Sequence, residues 1–376
     1  MNLIERVIGR IENRRERVLS GKINCIPTKF TRFRNDFPGT EQGKYYIVTG
    51  NTKAGKTQIA NFLFIYNNIL YAYYHPDKVR LKIFYFPFEE TQEKITLRFM
   101  SFLLYVLSDK RIRKSPQQLE SVHEDTPIEP EVIDLLKSKE YQKILNFFED
   151  TITFVPERNP SGLWYQAKAY AESHGTTHYK TLEIKNKDNS VANTLKVFDY
   201  YTPDDPEEYV LFFIDHASLV ETEKNLDLRE SIGKLSEYCY AIRNKYNYIP
   251  VLIQQQSVET SNLDAFKANK IRPTQAGLAD NKSTGKDATV MLGITNPHYF
   301  ELSNYYGYDI GKLKNYARFL EVVLNREGES NSLIGLYFDG AVNYFEELPK
   351  PFDTVGMGQI YDRIESNKEN ENLKLE

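Results

Sequence analysis

Cysteine is nearly missing from this 376-residue chain: Cys25 and Cys239 stand alone and far apart. That excludes a disulfide scaffold, and with no secretory leader pattern ahead of them the expected setting is a reducing cytoplasm. Long apolar runs are missing as well. None reaches the ~20 residues that cross a bilayer, so no membrane partner is expected. Histidine is sparse at six residues, and none gathers with the cysteines, which argues against a zinc centre. No sign of charge dominates, because 48 Lys/Arg face 52 Asp/Glu for a net charge of −4. The surface as a whole does not advertise nucleic acid, although a ring can confine positive charge to its central channel. Locally the balance reverses: from Met1 to Thr40, nine Lys/Arg face four Asp/Glu. The remainder, 27% charged and 41% hydrophobic, is ordinary for a globular protein of one large α/β domain with attachments, or of two domains.

What is present is a complete phosphate-binding loop. Gly50-Asn51-Thr52-Lys53-Ala54-Gly55-Lys56-Thr57 reads G-x-x-x-x-G-K-T. An apolar strand-like run, Tyr45 to Val48, precedes it, and a helix-like stretch, Gln58 to Leu63, follows, which is the context such a loop needs. Glycines let backbone N–H groups turn inward around a β-phosphate, aided by the positive end of the following helix. Lys56 is expected to reach the β- and γ-phosphates and the Thr57 hydroxyl to hold Mg²⁺. Lys53, nearby, should point elsewhere. The expected cofactors are ATP and Mg²⁺.

From Gly43 onward apolar strands alternate with longer helical segments, the pattern of a mainly parallel twisted sheet flanked by helices. Strands are expected at 45–49, 82–87, 152–155, 210–215, 251–255, 289–292, 320–325 and 332–338, and helices at 56–75, 91–108, 131–148, 160–174 and 226–246. In the last helix Leu228, Ile232, Leu235, Cys239 and Ile242 form a core stripe. Ahead of the sheet, Leu3, Ile4, Val7, Ile8, Ile11, Val18 and Leu19 fall at helical spacing among arginines. That amphipathic helix either packs on its own domain or docks on a neighbouring subunit. Residues 108–130 read as a polar surface connection, and 179–201 as a hairpin turning between Asn186 and Asn193. The chain thus divides into a linker or oligomerisation helix (1–22), an ATPase domain carrying the inserted hairpin (23–349) and a tail (350–376). From about Ser366 the tail lacks an apolar pattern, and partial disorder is expected there.

Three further segments surround the loop. Tyr209 to Asp215 is an apolar strand ending in an acid, placed to hold the Mg²⁺ water shell beside Thr57. The strand Ile83–Phe88 delivers Glu89 and Glu90 to the edge where ligands sit in open parallel sheets. One can orient the attacking water, while the other can be ordinary helix-start chemistry. The strand Val251–Ile253 ends in Gln254-Gln255-Gln256, which can sense the γ-phosphate, touch nucleic acid, or simply close a strand.

The order of these parts resembles the DnaB family of replicative DNA helicases, within the RecA-like ATPases. Ser20–Phe30 is similar to the family's entry segment, with Lys29 in place of the usual Gly. Phe86-Pro-Phe-Glu-Glu90 resembles the segment of the catalytic glutamate and matches it to Glu89. Ile249–Gln256 resembles the strand that ends in a sensor glutamine, matched best by Gln256, with Gln255 as the alternative. Ile271-Arg-Pro followed by Asp287-Ala288 looks like the DNA-loop region, and Val322–Gly328 like the strand and turn of the arginine finger, here Arg326. The resemblance covers about residues 15–346 and implies a homohexameric ring that hydrolyses ATP between subunits and moves on single-stranded DNA at a replication fork, with a primase or loader as partner. Departures are specific. The family's N-terminal primase-binding domain has no counterpart, and Leu324 replaces the lysine two residues before the finger. Ala279 replaces the DNA-loop arginine, leaving Asn281, Lys282 and Lys286 as phosphate contacts. The hairpin matches nothing in the family pattern. A RecA/RadA-like recombinase and a non-motor regulatory ATPase are the competing classes.

Overall fold

The structure, a computed structural model, describes residues 3–122, 127–186, 191–257, 271–330 and 332–372. Among these, nine strands share one sheet: β1 (Tyr46–Gly50), β2 (Arg80–Pro87), β3 (Ile152–Phe154), β4 (Glu208–Asp215), β5 (Ile249–Gln255), β6 (Val290–Thr295), β7 (Ala317–Asn325), β8 (Leu333–Asp339) and β9 (Tyr344–Glu347). Their spatial order is β9-β8-β7-β6-β1-β5-β4-β2-β3. From β6 to β3 every pairing is parallel, while β7, β8 and β9 extend the other side antiparallel. β1 lies between β5 and β6, so its C-terminal end opens at the crevice where ligands bind in such sheets.

Side-chain alternation sorts the strands onto two cores. Tyr46, Val48, Ile83, Tyr85, Leu211, Phe213, Val251 and Ile253 face one side, under the phosphate-loop helix and the helices Gln92–Leu107 and Lys139–Thr151. Tyr45, Ile47, Phe84, Phe86, Phe212, Ile214 and Leu252 face the other, against the helices Pro160–Ser173 and Leu228–Tyr246. Each such side chain, fully buried, contributes about 1.5–3 kcal/mol. The Leu228–Tyr246 helix starts on a reciprocal Asp227/Glu230 capping box and buries Ile232, Leu235, Cys239 and Ile242, whereas Leu228 at its first turn is exposed.

Several segments depart from the sequence expectation. The helix at 131–148 is two, Pro130–Lys137 and Lys139–Thr151, broken at the extended Ser138. The 108–130 connection is tied down by charge: Arg113 forks onto the fully buried Asp339 at 2.6 and 2.9 Å. The hairpin starts earlier, pairing Gly175–Lys185 with Val191–Pro203, and residues 187–190 of its turn lie outside the described residues. The tail forms a helix, Thr354–Asn372, because Met357, Ile360 and Ile364 return to a third core against Ile310, Leu313, Phe319 and Tyr337. His174 and His178 stand four apart, but each stacks on a tyrosine, and among the described residues no group of three His/Cys/Asp/Glu could hold a metal. No helix among the described residues is long and apolar enough to cross a membrane.

The N-terminal helix, Leu3–Leu19, is attached through its polar face. Arg17 forks onto Glu207 at 2.7 Å on both oxygens, and Lys22 joins the same carboxylate at 3.0 Å. Its apolar stripe meets solvent, with Ile4 at 69% and Ile11 at 63% exposure. Among the described residues, nothing of its own domain covers that stripe.

Candidate nucleotide site

β1 ends in Gly50, where a Cβ would stand 2.5 Å from the Ile294 carbonyl oxygen of β6; only glycine fits that approach. Gly55 closes the loop at φ 96°, a left-handed conformation that other residues adopt with strain. Between them, buried Asn51 donates from Nδ2 to the Ile271 carbonyl at 3.1 Å and accepts the Ala54 N–H on its own carbonyl at 3.1 Å. Lys53 also has a positive φ, and its ammonium rests over the Tyr299 ring, away from the loop's interior. The following helix begins at Lys56 and changes to π-type bonding over Asn61–Tyr66 before continuing to Tyr74. Lys56 donates to the Asn51 carbonyl at 3.2 Å. Burial lowers its pKa, and the nearby carboxylates of Glu89 and Asp215 work against that shift.

Asp215 ends β4 next to Pro87 of β2. Its Oδ1 accepts from the Thr57 hydroxyl at 3.0 Å and its Oδ2 from the Tyr85 hydroxyl at 3.5 Å. Burial pushes this carboxyl up to about 7, and the neighbouring Glu89 charge adds to the rise. A carboxylate so costly to ionise, hydrogen-bonded to the loop's own threonine, suits a divalent cation, which would return it to its charged form. Thr57 and Asp215 therefore fit Mg²⁺.

The two glutamates after β2 separate cleanly. Glu90 is held by Arg98 at 2.5 Å. Glu89 is half exposed and, among the described residues, forms its one charged contact with His216, whose Nε2 is 3.8 Å away. His216 is kept neutral, with a lowered pKa, mainly by burial. Of the pair, Glu89 is the one available to water.

The glutamine run divides by strand alternation. Gln254 is buried and donates to the carbonyls of Ala279 and Asn281. Gln256, the sequence match for the sensor, is also buried: its amide donates to Thr49 Oγ1 at 2.9 Å and the Thr274 carbonyl at 3.0 Å, and its oxygen accepts the Thr274 N–H. Gln255 is the one that reaches the phosphate loop, donating to Thr52 Oγ1 at 2.8 Å.

Asn281 does not present a free amide for DNA. Its Nδ2 donates to the Arg229 carbonyl at 2.8 Å and its Oδ1 accepts from Ser283, so it shapes the 281–287 turn. Lys282 and Lys286 on the same turn are exposed. Arg326 follows β7, which runs antiparallel to β6: Asn325 pairs with Val290, four residues and about 13 Å of strand from Ile294 beside Gly50. It bonds the carbonyls of Ala288 (2.8 Å) and Lys286, while Glu327 pairs with Lys44 instead. Arg326 thus stands at the edge of the sheet opposite its own phosphate loop. One loop neighbour had no sequence signal beyond a charge in a mostly apolar strand: Arg318 of β7, buried, donates to the Ala54 carbonyl at 2.8 Å.

The same architecture occurs in solved structures. The chain superposes on a separately solved ATPase domain with a TM-score of 0.59 at 12% identity, covering 93% of this chain and 99% of that one. A DnaB-like replicative helicase, solved with attention to its interactions with primase, gives 0.60 at 13% identity, over 92% and 67% of the two chains. No family model matches the sequence, and no curated protein does. At these identities the likeness establishes fold: the chain has the RecA-like α/β fold of DnaB-like helicase ATPase domains.

Proposed function

We propose that this protein is an ATP-dependent DNA helicase: a homohexameric ring that hydrolyses ATP at subunit interfaces, translocates on single-stranded DNA and opens duplex at a replication fork. The observation that carries the reading is the division of the catalytic set between the two edges of the sheet. Lys56, Thr57, Asp215 and Glu89 converge at one edge, and Arg326 stands at the other, where only a neighbouring subunit's nucleotide could meet it. The exposed apolar stripe of the N-terminal helix supplies a surface for holding that neighbour.

Each residue then has a defined task. Backbone N–H groups of Gly50–Thr57 cradle the phosphates, and Lys56 places its ammonium against the transferring group. Thr57 and Asp215 hold Mg²⁺, which when bound neutralises charge on the β- and γ-phosphates. Glu89 orients the attacking water and accepts its proton. Gln255, hydrogen-bonded to Thr52, takes the γ-phosphate-sensing task in place of Gln256, coupling the loop to the 271–287 segment that precedes β6. There Lys282 and Lys286 contact the DNA backbone, which a motor needs more than base readout. Arg326 completes the neighbour's site, and a primase or loader would act on the ring from outside this domain.

The test is strand separation on a fork bearing a single 5′ or 3′ tail, with ATP turnover followed in the presence and absence of single-stranded DNA. DNA-stimulated turnover with unwinding from one tail only, and closed rings of six in electron micrographs, are expected. Helical filaments on DNA would move the protein to the recombinase class, and turnover indifferent to DNA would leave a regulatory ATPase.

A further inference from the structure

Arg318 lies deep in the sheet at 3% exposure, between the buried Ala317 and Phe319 of β7. A cation at that depth is ordinarily matched by a carboxylate. Arg113 with Asp339, and Arg272 with Glu321, are matched in this way even though both arginines are less buried. Arg318 is not. Among the described residues no carboxylate pairs with it, and its hydrogen bonds run to neutral acceptors. Nε donates to the Ala54 carbonyl (2.8 Å), Nη1 to the carbonyls of Asn315 (2.7 Å) and Ala317 (2.8 Å), and Nη2 to Asn315 Oδ1 (3.1 Å). The Phe338 ring lies against the guanidinium, 4.8 Å from centroid to carbon. Burial alone pulls its pKa down to about 9, which still leaves it charged at neutral pH.

The surroundings indicate what this charge can meet. Ala54 is in the phosphate loop, and a Cβ built on Gly55 would lie 3.5 Å from Arg318 Nε. The peptide whose carbonyl Arg318 holds carries the Gly55 N–H at its other end, and N–H groups of such loops are what grip phosphate. A charged donor on the carbonyl polarises that peptide and strengthens its N–H as a donor, the cooperativity expected of hydrogen-bond chains in a low-dielectric interior.

We propose that Arg318 is a positioning residue for the nucleotide: a cation buried behind the phosphate loop whose counter-charge is the phosphate chain bound in front, acting through the Ala54–Gly55 peptide. The proposal rests on the nucleotide-site reading above and adds a residue that no part of the phosphate-loop pattern contains. It has a consequence that a packing role lacks. The buried charge is matched only when nucleotide binds, so its removal should weaken binding and lower the stability of the saturated protein by more than that of the free one, which loses the same four hydrogen bonds. Across one peptide and the hydrogen bonds at its two ends, roughly 8–12 Å, at an effective dielectric of about 20, a unit charge pair is worth about ten- to thirty-fold in affinity.

Arg318→Met, of similar length but neutral, and Arg318→Lys, which keeps the charge, are compared with wild type and Lys56→Ala. Calorimetry gives Kd for MgATP and MgADP, and thermal melts are recorded free and nucleotide-saturated. The expected result is a Kd for MgATP raised about tenfold or more in Arg318→Met, with part of the loss recovered in Arg318→Lys. The free Met variant loses those hydrogen bonds, so the deciding quantity is its nucleotide-induced rise in melting temperature, which should shrink relative to wild type. Binding within twofold of wild type, or equal losses of melting temperature in the free and saturated proteins, would overturn the proposal. If the Met variant does not fold, Arg318→Gln is read in the same way. Failure of both neutral variants to fold also overturns it, because Arg318 would then be a structural residue of the free protein. Absence of MgATP binding by wild type, or undiminished binding by Lys56→Ala, sinks the nucleotide-site reading itself and this proposal with it.

Discussion

Replacing Asp215 by Asn should stabilise the nucleotide-free protein while destroying its use of Mg²⁺. In the fold this carboxyl titrates near 7, against an ordinary value of 3.8, because it is buried and faces the Glu89 charge. Below about pH 4 the carboxyl is protonated in both folded and unfolded chains, and it costs nothing. Between about pH 4 and pH 7 the unfolded chain ionises while the folded one resists, so stability drains away as pH rises; above 7 the loss is complete. Some three pH units at 1.36 kcal/mol each give about 4 kcal/mol for the full loss. The group is 3% exposed, so solvent screening does little to reduce that figure. Asparagine is near-isosteric, stays neutral and can still accept from the Thr57 hydroxyl. Denaturant unfolding of both proteins in a chelator, from pH 5.5 to 8, should show the Asn variant ahead by about 2 kcal/mol at pH 5.5 and about 4 at pH 7, with no further widening. With MgATP present the order should reverse, since only the wild-type carboxylate gains from the cation. A gap that does not change with pH, or an Asn variant less stable than wild type throughout, would refute the assignment of this buried carboxyl as a metal-ready group.

Glu89→Gln should leave MgATP affinity intact and cut turnover by roughly 10² or more, as expected for loss of a general base, while Glu90→Gln should act mainly through the lost Arg98 pair. Steady-state rates for the two variants decide, and a larger loss from Glu90→Gln would shift the catalytic role by one residue. Arg326→Ala should lower hydrolysis by about 10³ without changing ATP affinity, and mixing it with Lys56→Ala subunits should restore part of the rate. No rescue in confirmed mixed oligomers would argue against action between subunits. Removing residues 1–19 should convert hexamers to monomers or loose species by light scattering; an intact hexamer would show that the exposed Ile4–Ile11 stripe does not hold the ring.

The phosphate loop was legible because its chemistry is contiguous: eight residues, one strand before and one helix after, fix where each N–H and side chain goes. The placement of Asp215 and Glu89 beside that loop was legible for a related reason, since a strand's hydrophobic run points to its polar end and parallel sheets gather those ends at one edge. The same holds for the two-faced core, which follows from alternation in strands such as Phe84-Tyr85-Phe86 and Phe212-Phe213-Ile214. The tail helix escaped because its buried apolar anchors are just Met357, Ile360 and Ile364, and what makes them core lies in a surface formed mainly by residues 305–348.

Choices among adjacent or distant polar residues belonged to the tertiary structure. With a side-chain period of two, Gln255 and Gln256 point to opposite sides, and the β5–β1 register decides which meets Thr52 and which is spent on Thr49. Asn281 reads as a surface amide until the Leu228–Tyr246 helix takes its hydrogen bond through Arg229. Arg318 near the start of β7 and Arg326 just past its end are eight residues apart, yet Arg326 reaches the far edge of the sheet and Arg318 the back of the phosphate loop. An antiparallel strand beside β6 makes that difference, because it carries its two ends to opposite edges of the sheet. Sequence alone determined that this chain has a G-x-x-x-x-G-K-T loop and the sheet to present it. The pairing of strands, which brings together residues hundreds of positions apart, decided which side chains face that loop and which are consumed in building its surroundings.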